Sequence, residues 1–132
     1  MKRDVDYARG LVSKAENDWK NVCVSLEHDV PLDTVCFHIQ QTAEKLLKAL
    51  LAFRGVDYPL THDLKDLLEL AVAVSPVLGE FATSLPDYTV YAVALRYDAT
   101  FYPTREETLA AFENVKRLRE VIHSLLPPQA RP

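Results

Sequence analysis

The apolar residues Ala8, Leu11, Ala15, Trp19, Val22 and Leu26 recur at spacings of three and four, the pattern of a helix that buries one stripe. Lys14, Glu16, Asp18 and Lys20 fall on its wet side, and the pattern predicts a first helix from about Asp4 to Glu27. After His28-Asp29-Val30, Pro31 suits the first turn of a second helix, with Asp29 or Asp33 placed to accept free amides. Ile39, Ala43, Leu46, Leu47, Leu50 and Phe53 form its core stripe. The helix runs to Arg54, and Gly55 suits the left-handed cap that ends it.

Thr61-His62-Asp63 reads as a Thr cap followed by an acidic first turn, opening a third helix whose Leu64, Leu67, Leu68 and Ala71 share a face. Ser75-Pro76 predicts a short helix to about Thr83, and Pro86-Asp87 starts another with Tyr88, Tyr91, Ala92 and Leu95 on one side. Thr104 and Glu107 form a capping-box pair ahead of Leu109, Ala111, Phe112, Val115, Leu118, Ile122 and Leu125. Pro127-Pro128 stops this last helix and leaves Gln129 to Pro132 as a fraying tail. The alternating stretches Val22-Cys23-Val24 and Thr89-Val90-Tyr91 are short and fall inside predicted helices. The expectation is an all-α chain, an antiparallel bundle of four main helices and a short one. Residues 1–126 form its single domain and 127–132 a C-terminal tail.

Composition narrows the functional classes. A chain of 132 residues, 48% apolar and 26% charged, can close one core without a disulfide or structural metal. Its net charge of −4 argues against coating DNA or RNA by general phosphate neutralisation, though a local basic patch survives that argument. Cys23 and Cys36 fit neither a CxxC motif nor a disulfide scaffold and read as reduced, half-buried thiols. No apolar run suits a membrane span and the first residues lack a signal peptide's apolar stretch, so a cytoplasmic protein is expected. Phosphate-binding glycine loops, HExxH and paired-Cys zinc patterns are missing, and His28, His38, His62 and His123 are too scattered to draw a metal site. No cofactor is expected.

Four features carry possible chemistry. His38, Gln41, Thr42 and Lys45 lie three or four positions apart, which at about 100° per residue makes a polar ridge beside the second helix's apolar stripe. The ridge either hydrogen-bonds a nucleotide or partner helix, or is simply a solvated face. His62 sits where phosphate could meet the third helix's free amides, or where it merely caps the turn. From Asp66 to Leu95 there is no Lys or Arg, so Arg96 in Arg96-Tyr97-Asp98 is an isolated cation flanked by Tyr88, Tyr91, Tyr97, Phe101 and Tyr102. Its planar fork suits phosphate, carboxylate or a stacked base, and equally suits a pinning ion pair with Asp98 or a Glu. The last helix carries Lys116, Arg117, Arg119 and His123, either a phosphate contact or a cationic turn that complements the helix dipole.

The run Phe37-His38-Ile39-Gln40-Gln41-Thr42-Ala43-Glu44-Lys45-Leu46-Leu47-Lys48-Ala49-Leu50-Leu51, with Gly55, Thr61-His62-Asp63-Leu64 and Arg96-Tyr97-Asp98, resembles the HEPN family from the first helix to Leu126. The resemblance implies an up-and-down four-helix bundle with an additional short helix, commonly a homodimer. It implies nucleotide or RNA binding and, for small stand-alone members, a minimal nucleotidyltransferase partner in a toxin–antitoxin-like module. The ligand region it points to comprises His38, Gln41, Lys45, His62, Arg96, Tyr97 and Asp98. Some members are metal-independent endoribonucleases marked by an Arg, four to six residues and a His. This chain departs from that mark after Arg96, where Tyr97 to Pro103 hold no His. Arg117 and His123 meet the spacing nominally, while Arg96 with His38 or His62 would be a non-standard catalytic set. An endoribonuclease and a purely structural dimerisation module therefore stand as the competing readings.

Overall fold

In the computed structural model, which describes residues 4–132 and, at 94–97, the backbone but not the side chains, Asp4 opens the first helix. Its carboxylate accepts the Tyr7 amide at 2.9 Å, so α1 runs Val5–Leu26. The second helix, α2, spans Leu32–Arg54 and ends at Gly55, whose φ of 71° is the left-handed conformation a Cβ would oppose. Leu64–Val74 forms α3 and Val90–Tyr97 forms the short α4, with 3-10 turns at Pro76–Phe81 and Leu85–Thr89 between them. α5 runs Arg105–Leu125 from the expected capping box, in which the Thr104 side chain accepts the Glu107 amide and Glu107 accepts the Thr104 amide. The described residues form an all-α bundle without a strand. None of their helices is long and apolar enough to cross a membrane.

α2 is the central helix and packs against α1, α3, α4 and α5. It is accordingly buried over more than one stripe: Val35, Cys36, Ile39, Leu46, Leu47, Leu50 and Leu51 are all in the core. Each fully buried Leu or Ile stabilises the fold by roughly 1.5–3 kcal/mol relative to an exposed one. Around it lie Ala8, Val12, Ala15, Trp19 and Val22 of α1, then Leu64, Leu67, Leu68 and Ala71 of α3. α5 adds Ala111, Val115, Leu118 and Ile122. The seam between α1 and α5 is bridged by large side chains, with Trp19 stacked on Phe112 at 4.9 Å between centroids.

Several local expectations change. Val12, not Leu11, lies at the centre of the α1 stripe, and Leu109 is exposed because the buried face of α5 follows Thr108, Ala111, Val115, Leu118 and Ile122. The cap of α3 is Asp63, whose side chain accepts the Lys65 amide, while the Thr61 hydroxyl accepts the Asp63 amide one step earlier. The segment after Ser75-Pro76 winds as a 3-10 turn of 6 residues rather than a helix to Thr83. Nor does the end of the chain fray. Pro128–Ala130 forms a 3-10 turn against α1, with Ala130 fully buried and the Gln129 carbonyl accepting from Arg9 at 3.0 Å.

Candidate functional site

Glu16 and Asp18 stand two positions apart on α1, about 200° around the helix, and so reach different neighbours. Asp18 faces α2: its Oδ1 accepts from His38 Nδ1 at 2.8 Å and its Oδ2 from Lys45 Nζ at 2.5 Å. His38 and Lys45 are two turns apart on one face, which lets a single carboxylate span them. Glu44, on α2 itself, collects Gln40 Nε2 and Lys48 Nζ at 3.0 Å each and His62 Nδ1 at 2.8 Å. Gln40 also donates to the His62 carbonyl at 3.2 Å, and Gln41 Nε2 donates to Gln40 Oε1 at 2.7 Å. The loop before α3 is thereby fastened to the middle of α2.

The carboxylates lie beneath and their partners outside. Asp18 is 12% exposed against 27% for His38, and Glu44 is 5% exposed against 65% for His62. Burial alone raises the Glu44 carboxyl, but the bonds from Gln40, Lys48 and His62 outweigh it and hold it below the usual carboxylate range. An ionised carboxylate only accepts, so each imidazole donates from Nδ1 and, when neutral, presents Nε2 as a base. Neither Nε2 has a partner among the described residues. The result is a face of two imidazoles and two ammonium groups underlain by two anions.

Thr42 does not share that face. It is buried, and its hydroxyl donates to the His38 carbonyl at 2.8 Å within its own helix. The side chains of Arg96 and Tyr97 lie outside the described residues, their backbone being the last turn of α4. Asp98 is exposed and turns to Thr100, accepting its amide at 2.9 Å and its hydroxyl at 2.6 Å, bonds that lower the Asp98 carboxyl. Arg117 reaches Glu80 at 3.5 Å, while His123 Nε2 donates to Glu16 at 2.9 Å, so this nominal pair serves separate partners.

The aromatic residues neighbouring Arg96 in sequence do gather. Tyr88 stacks on Tyr91 at 5.9 Å and Tyr91 meets Phe101 at 5.9 Å, lining with Tyr102 a cavity of about 370 Å³. Its charged lining groups, Asp87 and Glu107, are acidic, so among the described residues this cavity suits the face of a ring or a cation better than a phosphate. Among the described residues no group of three or more His, Cys, Asp or Glu converges as a metal site. Both cysteines are free, and burial pushes the Cys36 thiol up.

Periodicity places Asp18 among wet-side residues and passes over Gln40, Glu44 and Lys48, yet these hold the ridge in place. The available signal is Gln40 and Glu44 at i and i+4 inside the central helix, a pair that must satisfy itself once buried. Neither a curated protein nor a solved structure matches the chain significantly. A profile of the HEPN domain matches residues 8–125, nearly the whole chain, which therefore belongs to the HEPN family.

Proposed function

We propose that this HEPN protein binds a nucleotide or RNA through the α2 ridge and acts, as a homodimer, with a minimal nucleotidyltransferase in a toxin–antitoxin-like module. Family membership ties the chain to nucleotide- and RNA-related function. The observation that carries the ligand reading is the layering of the ridge: half-buried Asp18 and buried Glu44 orient His38, Lys45, Lys48 and His62, leaving each imidazole Nε2 and the further N–H groups of each ammonium uncommitted to those anions. Pre-set ammonium groups, joined by the imidazoles once protonated, suit phosphate oxygens, because little side-chain freedom is lost on binding. A local site of this kind is compatible with a net charge of −4.

The test uses the purified full chain, titrated with AMP, ATP and short single-stranded RNA, alongside co-purification with a minimal nucleotidyltransferase sought in the neighbouring genes. Saturable binding that weakens at least tenfold in Lys45→Ala and His62→Ala, together with a stable complex, is the expected result. Absence of both binding and complex overturns the proposal.

A second reading, a metal-independent endoribonuclease, is favoured by one geometric fact: the Glu44–His62 pair presents Nε2 outward, the arrangement of an oriented general base. His62 would take the 2′-hydroxyl proton as the 2′ oxygen attacks phosphorus to form a 2′,3′-cyclic phosphate, and the 5′ oxygen leaves with a proton drawn from water. Cleavage that persists in chelator, vanishes in His62→Ala and survives Arg117→Ala would select this reading. Cleavage unaffected by His62→Ala would remove it.

A further inference from the structure

We infer that a second site, formed by α1, α5 and the C-terminal turn, binds a phosphate-type oxyanion. A cavity of about 410 Å³ is lined by Glu16, Arg119, His123, Pro128, Arg131 and Pro132, which brings α1 against the end of α5 and the C-terminal turn that follows it. Glu16 is its one acidic side chain, and it is already committed. Its carboxylate receives Arg119 Nε at 2.8 and 3.1 Å, Arg119 Nη2 at 2.7 Å and His123 Nε2 at 2.9 Å. Burial raises the Glu16 carboxyl, but the bonds and charge of Arg119 and His123 prevail and hold it low, so it stays an anion bound to its own clamp.

Two sets of guanidinium donors are left over. Arg119 uses Nε and Nη2 on Glu16, which leaves Nη1 without a partner among the described residues. Arg131 has no side-chain bond or ion pair among the described residues, and its Nε is buried with no partner. Buried N–H groups are almost always satisfied, so the unpaired Arg131 Nε and the Arg119 Nη1 group left over in the same cavity both call for an acceptor. An acceptor with several oxygens and negative charge meets both demands, and arginine forks match phosphate geometry.

The site is held from both sides. Ala130 is buried in the core and Arg9 donates to the Gln129 carbonyl, which fixes the turn that carries Arg131. Trp19 lies 5.9 Å from the Arg119 guanidinium carbon and backs the other wall. Occupancy would join the C-terminal turn to α5 and so stabilise the whole bundle. The ridge on α2 takes no part: Glu16 and Asp18 point to different sides of α1.

The experiment is a thermal-unfolding series on the full chain with inorganic phosphate, AMP and 5′-phosphorylated RNA, each against chloride at equal ionic strength, with NMR of the His123 ring as the local reporter. Expected are a saturable rise in Tm with phosphate and a shift of the His123 signals, both weakened at least tenfold in apparent affinity by Arg131→Gln and unchanged by Lys14→Ala, an exposed cation outside both sites. A tighter response to AMP or RNA than to phosphate would make the anion part of a nucleotide, and an equal response would make it free phosphate. No phosphate-specific effect over chloride, or an undiminished effect in Arg131→Gln, overturns the inference. An equal loss in Lys14→Ala would make the response one of general surface charge and overturn it equally.

Discussion

Glu44 Oε1 lies 2.8 Å from His62 Nδ1, joining a carboxylate in the core of the bundle to an imidazole at its surface. The two members of this pair therefore differ in what their loss costs. Glu44→Gln leaves Lys48, only 15% exposed, without its anion and weakens the anchor of the loop before α3, where the Gln40 bond to the His62 carbonyl remains. Removing one partner of a buried pair costs about 3–5 kcal/mol, and partial access of Lys48 to water brings the expected loss nearer 2 kcal/mol. His62→Ala gives up an exposed ring and should cost under about 1 kcal/mol. Urea denaturation of the two variants checks the order, and equal midpoints would show that Glu44 does not organise this region.

Acid should separate the same network from the rest of the fold. The Glu44 carboxyl is lowered in the native chain, so it binds protons less readily folded than unfolded. Its stabilisation is complete above the unfolded value of about 4.3 and is lost as pH falls through the lower native value. Glu16 titrates with the same sign. Stability measured from pH 7 down to pH 2 should fall below about pH 4.3, with a shallower slope in Glu44→Gln and shallower still in Glu16→Gln/Glu44→Gln. Slopes identical to the parent chain would mean other carboxylates carry the acid transition.

The helix ends show which parts of this architecture were legible from residues alone. Gly55 and the Thr104–Glu107 box act through neighbours three or four positions away, and each does in the structure what its local chemistry demands. The apolar stripes of α1, α2, α3 and α5 were legible for the same reason. The candidate site was legible only in part. His38, Lys45 and His62 stood out, but the carboxylates that orient them come from 20 and 27 positions away for Asp18 and 18 for Glu44. Periodicity cannot see such pairings, and an acidic residue beside an apolar stripe looks solvated until the neighbouring helix is in place. Arg131 was missed for the opposite reason: a Pro-rich end looks frayed unless one sees Ala130 buried against α1.

Gly55 offers a test of the local rule. At φ 71° an alanine meets the carbonyl clash that disfavours left-handed conformations, worth roughly 1–2 kcal/mol. Gly55→Ala should lower stability by about 1 kcal/mol, offset slightly because alanine also restricts the unfolded chain. Gly55→Asn, which tolerates this region better, should recover part of the loss. If both variants match the parent in a denaturant series, the cap contributes nothing.

Trp19 is the sole tryptophan and so reports the α1–α5 seam directly. It is 6% exposed, its ring lies within 11° of parallel to Phe112, and Arg119 sits over it while holding Glu16. Native emission should therefore be that of a buried indole and move to longer wavelength on unfolding. Phe112→Leu removes the stack but keeps an apolar side chain, so the bundle should fold with about 1–2 kcal/mol less stability and altered native emission. Arg119→Met removes the cation above the ring and the clamp on Glu16 together, and should change emission as well as stability. Because α1 and α5 meet through these long side chains, both effects should travel together. A Phe112→Leu protein with unchanged emission and an unchanged denaturation midpoint would show that the seam is held elsewhere.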